Sequence, residues 1–531
     1  MTPLRFEAKL KKQPRAQLWG EYCGYLDLSL KDYMFMQHRL LQEQLACWSG
    51  SGLGQQLLRG RRPENFEELR AMLPLTSYED YADTLLPKRA EALPGQPVIW
   101  IQTTWEGGLR PTKVAPYTRE MLDTYRHNLC TLTMLSTSRE KGQFSVHRGD
   151  RVLYGGASLP YATGLMPSLL GEDIHFDWLP NDKQSATASF SQRIKNGFAQ
   201  GLTGGIDYFF GMGAVANFIT ERFAGMGGGG GGAHAISPTI AARYVKAKYL
   251  CRRDGRGLQP KDLFRIKGFV YTGPDSHCYR DALTDAWGVS PIEIAAGTES
   301  TCIAAEDWNR NGMVFFPNAC FYEFIPEAEM RRSLLDPDYK PRTCLMDEVT
   351  AGERYELVIS VFHGGAFMRY RIGDVYRCVS AGPNELPRFY FQDRIPTVID
   401  IAGFTRITEA SIQQVIALSK LPISAWFARK EYDDQNRPFL HLFVEIPKEE
   451  QQLAAASRQV LIDHLSAYFR YFDSDYADLK KLLSIEPLQI DILKCGVIAA
   501  FQQERGRELL RINPSALDMN ELLDYQKQYR C

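Results

Sequence analysis

Residues Glu353–Val379 read ERYELVISVFHGGAFMRYRIGDVYRCV, and this stretch sets how the chain is organised. Apolar and aromatic residues lie on both sides of the pair Gly364-Gly365. Such runs, rich in β-branched and aromatic residues and broken by glycine, predict two strands. The connection is too short for a parallel crossover, so they form a hairpin. Asp374 follows directly on Gly373, which predicts a carboxylate presented just after a tight turn.

The same punctuation recurs upstream. PVIWIQTT, DRVLYGG, IKGFVYTG, PIEIAAG and GMVFFP each predict a buried strand ending in a turn, and SHCYRDALTDAWG predicts a helix among them. That alternation predicts a mixed α/β domain with ligands bound at loops on strand ends. Before Val98 the chain reads mostly helical. LKDYMFMQHRLLQEQLACW keeps an apolar stripe at three- and four-residue spacing, and PENFEELRAMLPL follows a basic turn. From Pro396 a smaller unit is predicted. It holds the helix TEASIQQVIALSK, the strand RPFLHLFVEI, the long helix QQLAAASRQVLIDHLSAYFRYF and a polar C-terminal tail. The predicted domains are therefore residues 1–395 and 396–531.

A chain of 531 residues is too long for one core, in keeping with that division. Hydrophobic residues at 44% and charged residues at 24% are globular values and argue against disorder. With 62 basic and 63 acidic side chains the net charge is -1, so no overall basic excess draws the chain to nucleic acid or an anionic membrane. MTPLRFEAKLKKQPRAQLW lacks the apolar core of a secretory signal, and no apolar run spans a bilayer. The 11 scattered cysteines contain no C-x-x-C pair and read as reduced, mostly buried thiols of a cytoplasmic enzyme. Nine histidines with no H-x-x-x-H pair give a histidine metal site no support. The run Gly227–Gly232 reads as a flexible surface loop, with a phosphate nest as the minority reading.

Four local features carry nucleotide chemistry. WIQTTWEGGLRPTKVAPYT supplies the hydroxyls of Thr103 and Thr104, two glycines and Lys113, the ingredients of a phosphate loop. AAGTES follows the strand PIEI and presents Thr298 beside Glu299, a hydroxyl for a phosphate oxygen and a carboxylate for Mg²⁺. RYRIGD places Asp374 where vicinal ribose hydroxyls could donate to it. YFQDRIP puts Arg394 at the domain boundary, where a fixed cation could grip ribose or phosphate. Individually, an Asp after glycine is usually a turn former and an Arg in a hinge usually a salt bridge. Their order along the chain is that of adenylate-forming enzymes.

FFPNACFYEFIP, ERYELVISVFHGGAFMRYRIGDVYRCV and PRFYFQDR…TEASIQQVI resemble the Gretchen Hagen (auxin-responsive promoter) family of acyl-acid amido synthetases, as do GGIDYFFGMGAVANFI and YTGPDSHCYRDALTDAWG. The resemblance runs from about residue 20 to about residue 520 and is most specific between Phe315 and Asp374. It implies an α/β fold: a large N-terminal domain of mixed sheets flanked by helices, with a small β-barrel-like part, and a small mobile α+β C-terminal domain. It implies ATP and Mg²⁺, a small carboxylic acid activated as its acyl-adenylate, and acyl transfer to an amine such as an amino acid. Thr298 would then contact the α-phosphate, Glu299 would hold Mg²⁺, Asp374 would bind the ribose hydroxyls and Arg394 would bind the ribose side. Arg371 lies in the family's Arg-Tyr-Arg pattern. YGGASLPYATG and GGIDYFFGMGAVANF would contribute to the acyl pocket, with Tyr154, Tyr161 and Phe210 as candidates beside the ordinary reading of core packing.

Three positions depart from the family pattern. Lys113-Val114-Ala115-Pro116-Tyr117-Thr118 survives, but TTWEGGLRPT precedes it where Ser-Ser-Gly-Thr-Thr is usual, bringing Trp105 and Glu106 into the loop. Ala295 stands where an aromatic residue commonly stacks on adenine, a loss of about 1 kcal/mol. Asn513 fills the place of the family's C-terminal lysine, and Arg511, two residues earlier, would substitute for it in catalysis. These departures motivate the alternative of a catalytically impaired relative that binds or scaffolds. Transfer to a thiol such as coenzyme A is a third reading.

Overall fold

The computed structural model describes residues 5–104, 112–181, 190–225, 237–382, 385–403, 405–434, 436–447, 462–467, 487–506 and 508–529. They fall into two compact units that divide between Gln392 and Asp393.

The first unit opens with helices and the antiparallel pair β1 (Ile99–Thr104) and β2 (Thr112–Tyr117). Its centre is an eleven-stranded sheet. One half is parallel: β3 (Arg151–Gly155), β4 (Asp177–Leu179), β5 (Tyr208–Met212), β6 (Gly268–Thr272) and β7 (Ile292–Gly297), in the order β4-β3-β5-β6-β7. Helices separate these strands along the chain, among them Leu165–Asp173, Phe190–Gly204, Gly213–Gly225 and Arg280–Trp287, as parallel crossovers require. β3 and β6 are almost wholly buried, the mark of a sheet covered on both faces. The other half comprises β8 (Thr301–Glu306), β9 (Met313–Phe315), β10 (Cys320–Pro326), β11 (Arg354–Val361), β12 (Tyr370–Gly382) and β13 (Glu385–Arg394), in the order β7-β8-β9-β13-β12-β11-β10. The pairs β7/β8, β8/β9, β9/β13, β11/β12 and β10/β11 are antiparallel. All strands from β8 to β13 extend the large sheet, so the expected barrel-like part is not a separate sheet among the described residues.

β11 and β12 form the predicted hairpin, but residues 362–369 connect them rather than a two-residue turn. His363, Gly364 and Arg369 take left-handed φ values of 60°, 79° and 49°. A buried connection needs partners for its peptide groups, and the helix Leu30–Trp48 supplies them. Gln44 Oε1 accepts from Gly364 N at 2.9 Å, Gln44 Nε2 donates to Gly365 O at 2.9 Å, and Trp48 Nε1 donates to Ala366 O at 2.8 Å. The apolar stripe of that helix, Leu41, Leu45 and Trp48, packs with Phe66, Leu69, Phe321, Phe362 and Met368 in one core cluster. Gly373 does not end a strand in a tight turn. Glu356 pairs with Val375 and Val358 with Arg371, so residues 372–374 bulge within β12. Gly373 takes φ 81° there, a conformation without penalty only for glycine, and Asp374 is carried on the bulge.

The second unit contains the antiparallel pair β14 (Val398–Ile401) and β15 (Thr405–Thr408) and the helix Glu409–Ser419. A three-stranded sheet follows, β16 (Ala425–Tyr432), β17 (Pro438–Glu445) and β18 (Leu488–Leu493), antiparallel then parallel. The C-terminal segment is no polar tail. Helices Val497–Arg505 and Ala516–Gln528 bury Val497, Phe501, Met519 and Leu522 against Phe427, Phe443 and Leu493. Met519 and Leu522 lie at helical spacing within a mostly polar sequence, and a three-residue period needs few apolar residues to build a packed face. The predicted helix at 451–472 is described only over residues 462–467, and Gly227–Gly232 lies outside the described residues. Among the described residues no helix is long and apolar enough to cross a membrane, and the cysteines are free thiols.

Candidate functional site

β7 is where pairing changes from parallel, with β6, to antiparallel, with β8. The turn that leaves it is Thr298-Glu299-Ser300, so the predicted Thr-Glu pair sits at a strand end. The turn is strained: Thr301 takes φ 67° while paired with Gly297. A left-handed β-branched residue costs roughly 1–3 kcal/mol and persists where the surrounding pairing over-determines it. An added Cβ at Gly297 would sit 3.3 Å from Ser300 Oγ and 3.4 Å from Ile372 Cδ1, which places β12 against this turn. Ser300 Oγ is buried with no hydrogen-bond partner among the described residues.

Lys113 comes from β2, directly across from Thr103 on β1. Tyr78 pins the strand: its hydroxyl accepts from Val114 N at 2.6 Å and donates to Val114 O at 3.0 Å. At the far end, the Tyr117 hydroxyl donates to the Thr298 carbonyl at 2.8 Å. Thr118 then caps the helix Arg119–Thr137 by accepting from Met121 N, and donates to His363 O at 2.7 Å. β2 is thereby tied to both the Thr298 turn and the β11/β12 connection.

Tyr370, the first residue of β12, completes the cluster. Lys113 Nζ lies 3.6 Å from Glu299 Oε1 and donates to the Tyr370 hydroxyl at 3.3 Å. That hydroxyl donates to the same Glu299 oxygen at 3.2 Å. The Lys113 and Glu299 side chains are 16% and 8% exposed, so their attraction is little weakened by water. Burial, then the charge of Glu299, push the Tyr370 hydroxyl well above its ordinary pKa, and the same two causes act on Tyr117. Both phenols therefore remain protonated donors at neutral pH.

The predicted residues divide as follows. Lys113, Glu299 and the Thr298 turn meet, with Thr103 across from Lys113. Thr104 closes β1, while Trp105 and Glu106 lie outside the described residues. Ala295 is buried on β7 opposite Ala304. Asp374 stands four residues beyond Tyr370 on the same strand. Arg371 is engaged by Glu356, through bonds of 2.8 and 2.6 Å. Arg394 and Arg511 belong to the second unit. Arg394 Nε lies 3.2 Å from Asp400 Oδ2, a carboxylate also bound by Arg406 at 2.9 Å. Burial pushes Asp400 up, but Arg406, Arg394 and Lys430 outweigh it and hold the carboxyl below its ordinary value. Arg511 pairs with Glu409 at 3.2 Å and lies over the Trp426 ring. Asn513, at φ 47°, joins two strands of that unit: Oδ1 accepts from Lys430 N at 3.0 Å and Nδ2 donates to Val398 O at 3.2 Å. Tyr154 and Phe210 are adjacent across β3/β5, pack on Trp178 and are buried. Tyr161 is partly exposed beside the turn Ala162–Gly164.

Tyr370, Tyr117 and Tyr78 escaped sequence reasoning. Tyr370 sits inside the Arg-Tyr-Arg pattern and Tyr117 inside the quoted phosphate-loop stretch, yet only strand pairing brings their hydroxyls to Glu299 and Thr298. The donor set fits Mg²⁺ and phosphate: Glu299 and Ser300 offer hard oxygen ligands, and Lys113 offers a cation to a phosphate oxygen.

No curated protein matches the sequence. Residues 313–394 match the GH3 family central domain. The fold is similar to that of the AtGH3.15 acyl acid amido synthetase in complex with 2,4-DB. That match has 15% identity, covers 93% of this chain and 94% of the other, and has a TM-score of 0.50. It is also similar to 2-hydroxyisobutyryl-CoA ligase in complex with 2-HIB-AMP and CoA, at 14% identity, 87% and 86% coverage and a TM-score of 0.54. Residues 313–394 thus carry the match to the GH3 family central domain, within a fold similar to those of the acyl acid amido synthetase and the CoA ligase.

Proposed function

We propose that the protein is an ATP-dependent acyl-acid amido synthetase of the cytoplasm, which activates a small carboxylic acid as its acyl-adenylate and passes the acyl group to an amine such as an amino acid. The observation that carries this reading is the meeting of Lys113, Glu299 and Tyr370 at the Thr298–Ser300 turn, on a fold shared with adenylate-forming ligases. Residues 1–395 would bind nucleotide and acid, and residues 396–531 would act as a lid. Substrate classes follow the relatives: the acyl acid amido synthetase structure holds 2,4-DB.

In this reading Lys113 offsets phosphate charge as the acid oxygen attacks, and the Thr298 hydroxyl donates to the α-phosphate. Glu299, oriented by the Tyr370 hydroxyl, would hold Mg²⁺, with Ser300 Oγ as a second oxygen. Mg²⁺, when bound, neutralises charge on the leaving pyrophosphate. Asp374 accepts from the ribose hydroxyls, and Arg394 and Arg511 supply cations from the smaller unit. The walls of this site, from Tyr78 to Tyr117 and Tyr370, exclude water from the mixed anhydride.

Acid-dependent ATP–pyrophosphate exchange with Mg²⁺, run against a panel of hydrophobic carboxylic acids, tests the proposal. Exchange with at least one acid is expected, and Asp374→Ala should reduce it at least tenfold, as loss of a bound charged partner does. No exchange with any acid, together with no ATP binding by calorimetry, refutes the enzyme. Adding amino acids or coenzyme A separately then distinguishes amide from thioester product.

A further inference from the structure

The carboxylate that would hold the metal and the cation that would hold phosphate are paired with each other. We infer that Lys113 is a built-in competitor for Glu299, so that divalent metal and nucleotide phosphate each bind tightly only with the other's help. This rests on the nucleotide-site reading of the same cluster. Lys113 Nζ at 3.6 Å neutralises Glu299 Oε1, and the Tyr370 hydroxyl holds that oxygen at 3.2 Å. Both charged groups are largely out of water. Metal arriving alone would have to displace the ammonium and leave it buried with a metal ion as its neighbour, since the two cations compete for one carboxylate. Phosphate arriving alone would draw Lys113 away and leave Glu299 unneutralised beside an anion. Arriving together, phosphate takes the ammonium and metal takes the carboxylate, so each charge exchanges one partner for another of opposite sign. The Tyr78 and Tyr370 rings, 5.7 and 6.0 Å from Nζ, add cation–π attraction to the ammonium where it competes for Glu299. By linkage, each ligand must raise the affinity of the other by the same factor.

The test is calorimetric binding of Mn²⁺ alone, of ATP alone, and of each in the presence of the other, with the full chain. Wild type should bind free Mn²⁺ weakly. Lys113→Met should tighten free Mn²⁺ binding on the order of tenfold, within the usual span for coupled sites, and should weaken ATP binding. Lys113→Arg, which keeps the charge, should bind free Mn²⁺ as weakly as wild type. Lys113→Met combined with Glu299→Gln should lose the gained Mn²⁺ binding, which shows that the metal sits on Glu299. Equal free Mn²⁺ affinity in wild type and a folded Lys113→Met, with ATP still bound by wild type, overturns the competition while leaving the nucleotide site standing. Absence of ATP binding by wild type under every condition overturns both.

Discussion

Replacing Glu323 with alanine removes the counterion of an almost wholly buried guanidinium. Arg369 and Glu323 have side chains 5% and 1% exposed. Arg369 Nε donates to Oε1 at 2.9 Å and Nη2 to Oε2 at 2.8 Å, while Thr343 donates to Oε2 at 2.7 Å. In Glu323→Ala all three bonds vanish, and the cation is left with the Leu73 carbonyl at 2.6 Å and the Arg70 carbonyl at 3.3 Å. Removing one partner of a buried pair costs about 3–5 kcal/mol, because the other charge stays buried. Two carbonyls compensate only partly, so we expect about 3 kcal/mol. Arg369 also takes φ 49° immediately before Tyr370, so the pair that anchors it aims the Tyr370 hydroxyl at Glu299. Urea unfolding followed by circular dichroism measures the loss. A double-mutant cycle with Arg369→Met isolates the pair, and the double variant should recover at least about 1 kcal/mol relative to Glu323→Ala. A loss below about 1 kcal/mol, or a double variant as unstable as the two single losses added, would refute the reasoning.

Two further outcomes follow from groups outside the cluster. Glu293 and Glu306 both lie on Arg280 Nη2, at 3.2 and 2.9 Å, and burial first, then Glu306, push the Glu293 carboxyl up to about 8. The folded state thus keeps a proton that the unfolded chain releases above about 4.5, so this stabilisation is complete below that pH and is lost as pH rises to about 8. Thermal unfolding across that window should show stability falling by at most about 1.4 kcal/mol per pH unit; Glu293→Gln should flatten the fall, and an unchanged slope counts against the assignment. Asn513→Lys introduces a cation but removes the bonds to Lys430 N and Val398 O and places lysine at φ 47°. It should lower stability by about 1–3 kcal/mol in thermal unfolding, and a variant as stable as the parent contradicts that role.

What was legible before the structure was whatever short-range pattern encodes. The stripe of Leu30–Trp48, the apolar runs of β3, β6, β7 and β9, and the two strands around Gly364-Gly365 all depend on residues a few positions apart. The turn Thr298-Glu299 could be placed at a strand end because PIEIAAG stops in glycine. The nature of the bend at Gly373 could not, because a bulge exists only relative to the partner strand, here Glu356 and Val358 of β11. The packed C-terminal helices were missed for a related reason. Met519 and Leu522 are too few to stand out in a polar segment until Phe427 and Phe443 are set opposite them.

The amino-acid sequence by itself determined the main helices and strands of the first unit, the α/β class and the residue kinds available for nucleotide chemistry, since propensity, periodicity and motif order are local properties of the chain. Tertiary structure alone decided which of those residues act on one another. Lys113, Glu299 and Tyr370 come from three separate stretches and meet through strand pairing and packing, whereas Arg371 is engaged by Glu356 and Arg394 by Asp400. Charge pairing falls off with distance in space, and distance in space between remote residues is set by the sheet rather than by their spacing along the chain.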